Sequence, residues 1–300
     1  MTPVDDVVLN FSPGSLMLLN GILAVVMFSI AIDLTPEDFK RLARAPKPVI
    51  AGLLSQFIVL PVLTFGLVLL TQPIPSIALG LILVAACPGG NISNFITHRA
   101  GGNAALSVSL TAFSTVAAIF LTPLNIAFWG SLYEPTREIL RATSVDPISV
   151  AITVGLMLVL PLALGVTLNV RRPDVTKRLR TPLQWLSMAI FIAFVVAALS
   201  ANWSYFLVYA GLVAVLVFAH NGLALAGGFL VGSAMRLSPF DRRAITIETG
   251  IQNSGLGLIL IFAFFHGLGG MAVVAAFWGI WHIFSGMALA AVWSRTKAAR

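Results

Sequence analysis

Cysteine is nearly missing from this 300-residue chain: Cys87 is the single one, so no intrachain disulfide is available. Charge is scarce as well, with Asp, Glu, Lys and Arg together at 10%. An ordinary soluble domain carries about 25% charged residues, so that class is excluded. No basic segment precedes the first apolar stretch, which follows Asp5 and Asp6 and is long enough to stay as a span, so no cleavable signal peptide is expected. Catalytic signatures are lacking too. There is no HExxH and no GxGD, and Ile283–Phe284–Ser285–Gly286 lacks the first glycine of GxSG. An intramembrane hydrolase using Ser285 and His282 is therefore the weakest reading, and no enzyme is expected.

What the chain has instead is apolar length. Hydrophobic residues make up 58% of it, and the mean hydropathy is +0.98. Stretches of about 20 apolar residues, enough to cross a bilayer as helix, recur along the sequence. They fall at roughly 14–34, 48–70, 77–98, 103–128, 147–170, 182–201, 205–235, 243–265 and 271–293. No alternating strand pattern appears, and in lipid the backbone must satisfy itself within each segment. The expected fold is an all-α membrane protein of nine transmembrane helices, a single domain over 1–300. The net charge of +7 does not point to nucleic acid. With the N-terminus outside, 16 of the 18 Lys and Arg fall inside, and only Arg137 and Arg141 lie outside. That split follows the positive-inside rule and sets N-terminus out, C-terminus in.

Two stretches are interrupted. The third carries Pro88, Gly89 and Gly90 followed by Asn91, Ser93 and Asn94; the eighth reads ETGIQNSGLG from Glu248, with Gly250, Gly255 and Gly257 loosening the helix. They lie five spans apart and so cross in opposite directions. Paired, interrupted spans in inverted orientation point to the binding site of a secondary transporter. Spans 2–4 would repeat as 7–9 and span 1 as span 6, leaving span 5 unpartnered. The stretch SLYEPTREILRATSVDP reads as an interfacial helix or loop.

Glu248 is the one acid that would sit inside the membrane; the other ten of 11 fall in the tail, at span ends or in loops. A buried carboxylate costs several kcal/mol unless something pairs with it. A hard cation such as Na⁺ takes oxygen ligands. The chain offers them from Gln56, Ser93, Asn94, Ser107, Thr111 and Gln252, and from the carbonyls of an unwound Thr249–Ile251 segment. Ser107 and Thr111, four apart, share a helix face. The plainer alternatives are that Ser107 and Thr111 bond back to their own helix and that Gln56 holds helices together. Gly228 and Gly232 form a GxxxG face for close packing. His220 with Asn221 reads as a satisfied core pair, and Cys87 as merely small.

The runs CPGGNISN (87–94), ALSVSLTAFST (105–115) and IETGIQNSG (247–255), with KPVIAGLLSQFIVLP (47–61) and WHIFSG (281–286), resemble the bile acid:sodium symporter family. The resemblance spans nearly the whole chain. It implies two broken helices, spans 3 and 8, crossing inside a core domain (48–128, 205–293) beside a panel domain (14–34, 147–201). It implies one sodium site from Ser93, Asn94, Ser107, Thr111 and Glu248, and a second from Gln56, Glu248, Gln252 and the carbonyls of Thr249 and Ile251. Substrate would sit beside the crossover at Asn91, Asn253 and His282. The motifs and span count are closer to the animal bile acid transporters than to some ten-span bacterial members, whose first panel helix has no counterpart here.

The expectation is thus a Na⁺-coupled symporter importing an organic anion, a bile acid, steroid conjugate or small carboxylate, in a bacterial inner membrane. A proton-coupled or metalloid carrier of related fold, with Glu248 and Cys87 as key groups, and a non-transporting membrane sensor stay open as alternatives.

Overall fold

The computed structural model describes residues 46–143, 147–201 and 203–295, with a few positions between 21 and 32. Among them the chain is helical: α1 Pro46–Leu54, a π-helical segment Ser55–Val59, α2 Leu60–Thr71, α3 Pro75–Ala86, α4 Ile92–Arg99, α5 Ala104–Leu132, α6 Glu134–Ala142, α7 Pro147–Arg171, α8 Pro173–Ala201, α9 Trp203–Ala234, α10 Pro239–Gly250, α11 Ser254–Phe264 and α12 Gly269–Arg295. Each apolar stretch from 48–70 onward coincides with a helix or a broken pair of helices. The stretch 14–34 lies largely outside the described residues. The segment after α5 is a helix, α6.

Local chemistry sets the boundaries. Pro75 and Pro239 open α3 and α10, where a missing N–H is harmless. Asn103, Ser238 and Asn253 cap α5, α10 and α11, accepting from Leu106, Asp241 and Leu256 at 3.0, 3.1 and 3.0 Å. The π-helical turn was not foreseen from sequence. It runs directly into Leu60–Pro61, where Leu60 N–H reaches back to Ser55 O. Pro61 has no N–H for the carbonyl four residues behind it, so the ladder is rearranged and the turn widens around Gln56.

Among the described residues, four helical stretches are long and apolar enough to cross a membrane: Pro46–Thr71, Ala104–Leu132, Gly211–Ala234 and Gly269–Arg295. Large apolar side chains face outward along the helices. On α7 Ile148, Ile152, Leu156, Leu160 and Leu164 repeat every fourth residue, and on α5 Phe120, Leu124, Phe128 and Leu132 do the same. Outward apolar stripes of this length suit lipid, not water. Every residue of α3 after Pro75 is buried, which explains its apolar surface on all sides.

Glycines bring the inner helices close. A Cβ on Gly80 of α3 would stand 2.9 Å from Met271 Cα of α12. On α9, a Cβ on Gly228 would lie 2.8 Å from Thr246 Cα, and one on Gly232 2.9 Å from Arg242 Cγ. The GxxxG pair is therefore a packing face, against α10. At the basic end Arg243 donates to Ala100 O at 2.8 Å and lies over Trp293. Asn103 donates to Asp241 at 2.7 Å, tying the start of α5 to α10.

Candidate functional site: two facing helix breaks

α3 stops at Ala86 and α4 starts at Ile92; α10 stops at Gly250 and α11 starts at Ser254. The two gaps face each other. Gly90 N–H donates to Ile251 O at 2.8 Å, and Asn253 N–H donates to Pro88 O at 2.9 Å, with an isolated antiparallel bridge between Gly89 and Gln252. Backbone groups freed by one break thus find partners in the other, as a buried main chain requires. Close approach depends on Gly90, whose Cβ would stand 2.8 Å from Gln252 O. The second break begins one or two residues later than the sequence suggested. Thr249 and Gly250 are still helical, and Gly255 and Gly257 lie within α11. The interruption is carried by Ile251, Gln252 and Asn253.

Glu248 points from the last turn of α10 into hydroxyl groups of α4 and α5, and it is 3% exposed. Ser93 Oγ donates to Oε2 at 2.6 Å and Thr111 Oγ1 to Oε1 at 2.7 Å. Ser107 Oγ lies 3.1 Å from Oε2 and 2.8 Å from Asn94 Oδ1, and Thr111 Oγ1 lies 3.3 Å from that same Asn94 oxygen. The cluster holds six side-chain oxygens: two from Glu248 and one each from Ser93, Asn94, Ser107 and Thr111. The three hydroxyls supply only three protons to share among them. More lone pairs than protons, beside a formal negative charge, is a donor set that suits a hard cation. The four-residue spacing of Ser107 and Thr111 does put both on this face. Thr111 Oγ1 also lies 3.1 Å from Ser107 O of its own helix, so its one proton is shared between that carbonyl and the nearer Oε1.

A second polar cluster gathers where α10 ends. Gln56 Nε2 donates to Cys87 O at 2.8 Å and to Gln252 Oε1 at 2.7 Å. Gln252 Nε2 donates to Thr249 O at 2.6 Å. Gln56 Oε1 is buried without a hydrogen-bond partner. The widened π turn sets Gln56 at this point. Ile251 O is engaged by Gly90 N–H, yet a carbonyl has a second lone pair. The side-chain hydrogen bonds of the Glu248 carboxylate all run to the first cluster.

Of the three residues expected beside the crossover, Asn91 and Asn253 flank it directly. Asn253 Oδ1 is used by its cap on Leu256 N–H, leaving its NH₂ free to donate. Asn91 Oδ1 and His282 Nδ1 are buried with no hydrogen-bond partner. His282 lies one turn before Gly286, whose Cβ would meet Ile251 Cδ1 at 2.8 Å and Ile96 Cδ1 at 3.0 Å, so this part of α12 abuts the crossover.

Some contributors escaped the sequence reading. Ser55 Oγ meets Thr249 Oγ1 at 2.8 Å, Thr122 Oγ1 donates to Ala86 O at 2.6 Å, and Asn221 Nδ2 donates to Gly250 O at 2.8 Å. His220 and Asn221 are not paired with each other. His220 Nε2 meets Thr64 Oγ1 at 2.6 Å, and its ring packs on Trp278.

Apolar outward helices around a buried, oxygen-lined pair of breaks define an integral membrane protein. The sodium bile acid symporter family model matches residues 21–208. The chain is 36% identical over 274 residues to the uncharacterized sodium-dependent transporter YocS of Bacillus subtilis (strain 168), covering 91% of this chain and 82% of that one. It is 32% identical over 277 residues to the probable sodium/metabolite cotransporter BASS1, chloroplastic, of Arabidopsis thaliana, covering 91% of this chain and 66% of the relative. To the human P3 protein it is 29% identical over 256 residues, 84% of this chain and 52% of that protein. A match covering 91% of the chain cannot omit either break. The chain belongs to the sodium bile acid symporter family.

Proposed function

We propose that this protein is a Na⁺-coupled symporter that carries an organic anion inward by alternating access, with two Na⁺ per substrate. The observation that supports it most is the gathering of Ser93, Asn94, Ser107 and Thr111 around Glu248, six oxygens sharing three hydroxyl protons. A proton carrier needs no such cage. One Na⁺ is assigned to these five residues. The second is assigned to Gln56, Gln252, Glu248 and the carbonyls of Thr249 and Ile251; the unpartnered Gln56 Oε1 supports that assignment. In the names of its relatives sodium recurs, and those relatives are named as transporters, not enzymes.

The anion is placed beside the crossover, at Asn91, Asn253 and His282. The starts of α4 and α11 lie there, and helix N-termini favour negative charge. A bile acid, a steroid conjugate or a small carboxylate satisfies that chemistry. The mechanism assigns α1 to α5 and α9 to α12 to a core (48–128, 205–293) that rocks against a panel (14–34, 147–201), within nine spans. The 16-to-2 division of basic residues supports N-terminus out and C-terminus in, and the Bacillus relative supports a bacterial inner membrane. A tenfold Na⁺ gradient supplies about 1.4 kcal/mol per ion, and one net charge at 100 mV about 2.3 kcal/mol. Two ions with a monoanion therefore have about 5 kcal/mol available, enough for about a thousandfold accumulation or more.

The test is uptake of candidate anions by proteoliposomes with and without an inward Na⁺ gradient, preceded by a thermal-shift screen of anions in NaCl and in KCl. Stabilisation that needs both Na⁺ and one anion is expected. Uptake indifferent to Na⁺ would sink the proposal.

A further inference from the structure

We infer that Asn221 is a positioning residue for the second Na⁺ site, holding the end of the broken helix α10 in the shape that site needs. The inference rests on the sodium-symport reading and goes beyond it, since Asn221 itself supplies no oxygen to an ion.

The last turn of α10 is held residue by residue from different elements. Glu248 is fixed by hydroxyls of α4 and α5. Thr249 Oγ1 gives its own proton to Ile245 O at 2.9 Å, so at 2.8 Å Ser55 Oγ must be the donor to it, from the π-helical turn. Gly250 O accepts from Asn221 Nδ2 of α9 at 2.8 Å. A carbonyl at the broken end of a helix has no partner of its own. Leaving it buried and unpaired would cost about 1–3 kcal/mol, and Asn221, only 1% exposed, is the group that meets it. Gly250 is also covered by Leu225, one turn along α9, whose Cγ a Cβ on Gly250 would approach to 2.7 Å. The next residues, Ile251 and Gln252, carry a carbonyl and an amide assigned to the ion.

The same arrangement occurs at the first break. Gln56, from the helix preceding α3, donates its amide to Cys87 O at the end of α3, 31 residues on; Asn221, from the helix preceding α10, donates its amide to Gly250 O, 29 residues on. Each break thus has one buried amide from the preceding helix on its terminal carbonyl. The difference lies in what else each amide can reach. Gln56 also bonds Gln252 and keeps a free oxygen, whereas the Asn221 amide nitrogen, among the described residues, donates to Gly250 O. Gln56 can hold both backbone and ion; Asn221 holds backbone.

The test measures the Na⁺ dependence of thermal stability and of anion uptake for the full chain carrying Asn221→Ala, Asn221→Asp, which keeps size and removes the donor, or Leu225→Ala, which loosens packing on the same glycine. For both Asn221 variants the midpoint in Na⁺ is expected to rise at least fivefold, with uptake recovering toward the wild-type maximum at saturating Na⁺. Leu225→Ala is expected to lower the melting temperature in KCl and leave the Na⁺ midpoint within twofold. If the Asn221 variants shift the KCl melting temperature alone, or move the Na⁺ midpoint no more than Leu225→Ala does, the inference is overturned while sodium symport stands. A wild-type protein with no Na⁺ response would remove the symport reading first, and this inference with it.

Discussion

The carboxylate of Glu248 fills the space a side chain on Gly89 would need: a Cβ there would lie 2.8 Å from Cδ and closer still to Oε1. The glycine in the first break is therefore an accommodation to the acid in the second, 159 residues away in sequence (248 − 89). Gly89→Ala is expected to push the carboxylate off its hydroxyl partners. Overpacking of this kind costs about 1–3 kcal/mol. The checks are a lower melting temperature and a loss of Na⁺-induced stabilisation in the same protein.

Glu248→Gln keeps the shape and removes the charge. If the six-oxygen cluster holds Na⁺, stabilisation by the ion, about 2.7 kcal/mol at a hundredfold excess over Kd, disappears. Thermal melting in NaCl and KCl would then coincide for the variant and differ for the wild type. Since the variant no longer buries an uncompensated charge, its melting temperature in KCl is expected to equal or exceed that of the parent.

Thr111→Val is close to isosteric and removes both an oxygen and the donor at 2.7 Å from Oε1. The Na⁺ concentration for half-maximal uptake should rise about tenfold, which corresponds to about 1.4 kcal/mol. An unchanged Na⁺ dependence would exclude Thr111 from the ion's ligands.

Gly228→Val attacks packing, not chemistry. Its Cβ would stand 2.8 Å from Thr246 Cα and 2.9 Å from Ile245 O, atoms of a helix backbone that cannot move aside cheaply. A loss of about 1–3 kcal/mol is expected, equal in NaCl and KCl. Melting curves in the two salts separate this behaviour from that of the cluster residues.

Much of this was legible from residue type alone. A lone acid within an apolar stretch, two Gly/Pro or Gly-rich interruptions and a row of small polar residues marked the breaks, and Ser93, Asn94, Ser107, Thr111 and Glu248 do come together. Residue type overstates the second break, because the glycines of ETGIQNSGLG disfavour a helix without forbidding it. Gly255 and Gly257 remain helical, and Gly257 packs its bare face toward Cys87 Sγ, with 3.6 Å left for a Cβ. The π-helical turn was hidden because Pro61 announces a kink without saying how the preceding carbonyls rearrange. Asn221 and Ser55 were hidden for a different reason: their partners, Gly250 O and Thr249 Oγ1, are chosen by how α9, α10 and the π turn pack, and nothing within their own helices signals it.

The two hydrogen bonds that join Pro88–Gly90 to Ile251–Asn253 make the broken helices a single elastic element. A fluctuation that opens one gap strips the partners from the other, since Gly90 N–H and Asn253 N–H each depend on a carbonyl across the crossover. The oxygens we assign to the two ions are mounted on both sides of that seam. A motion that keeps the seam together, and keeps α5 and the π turn packed on it, carries both clusters along as one unit.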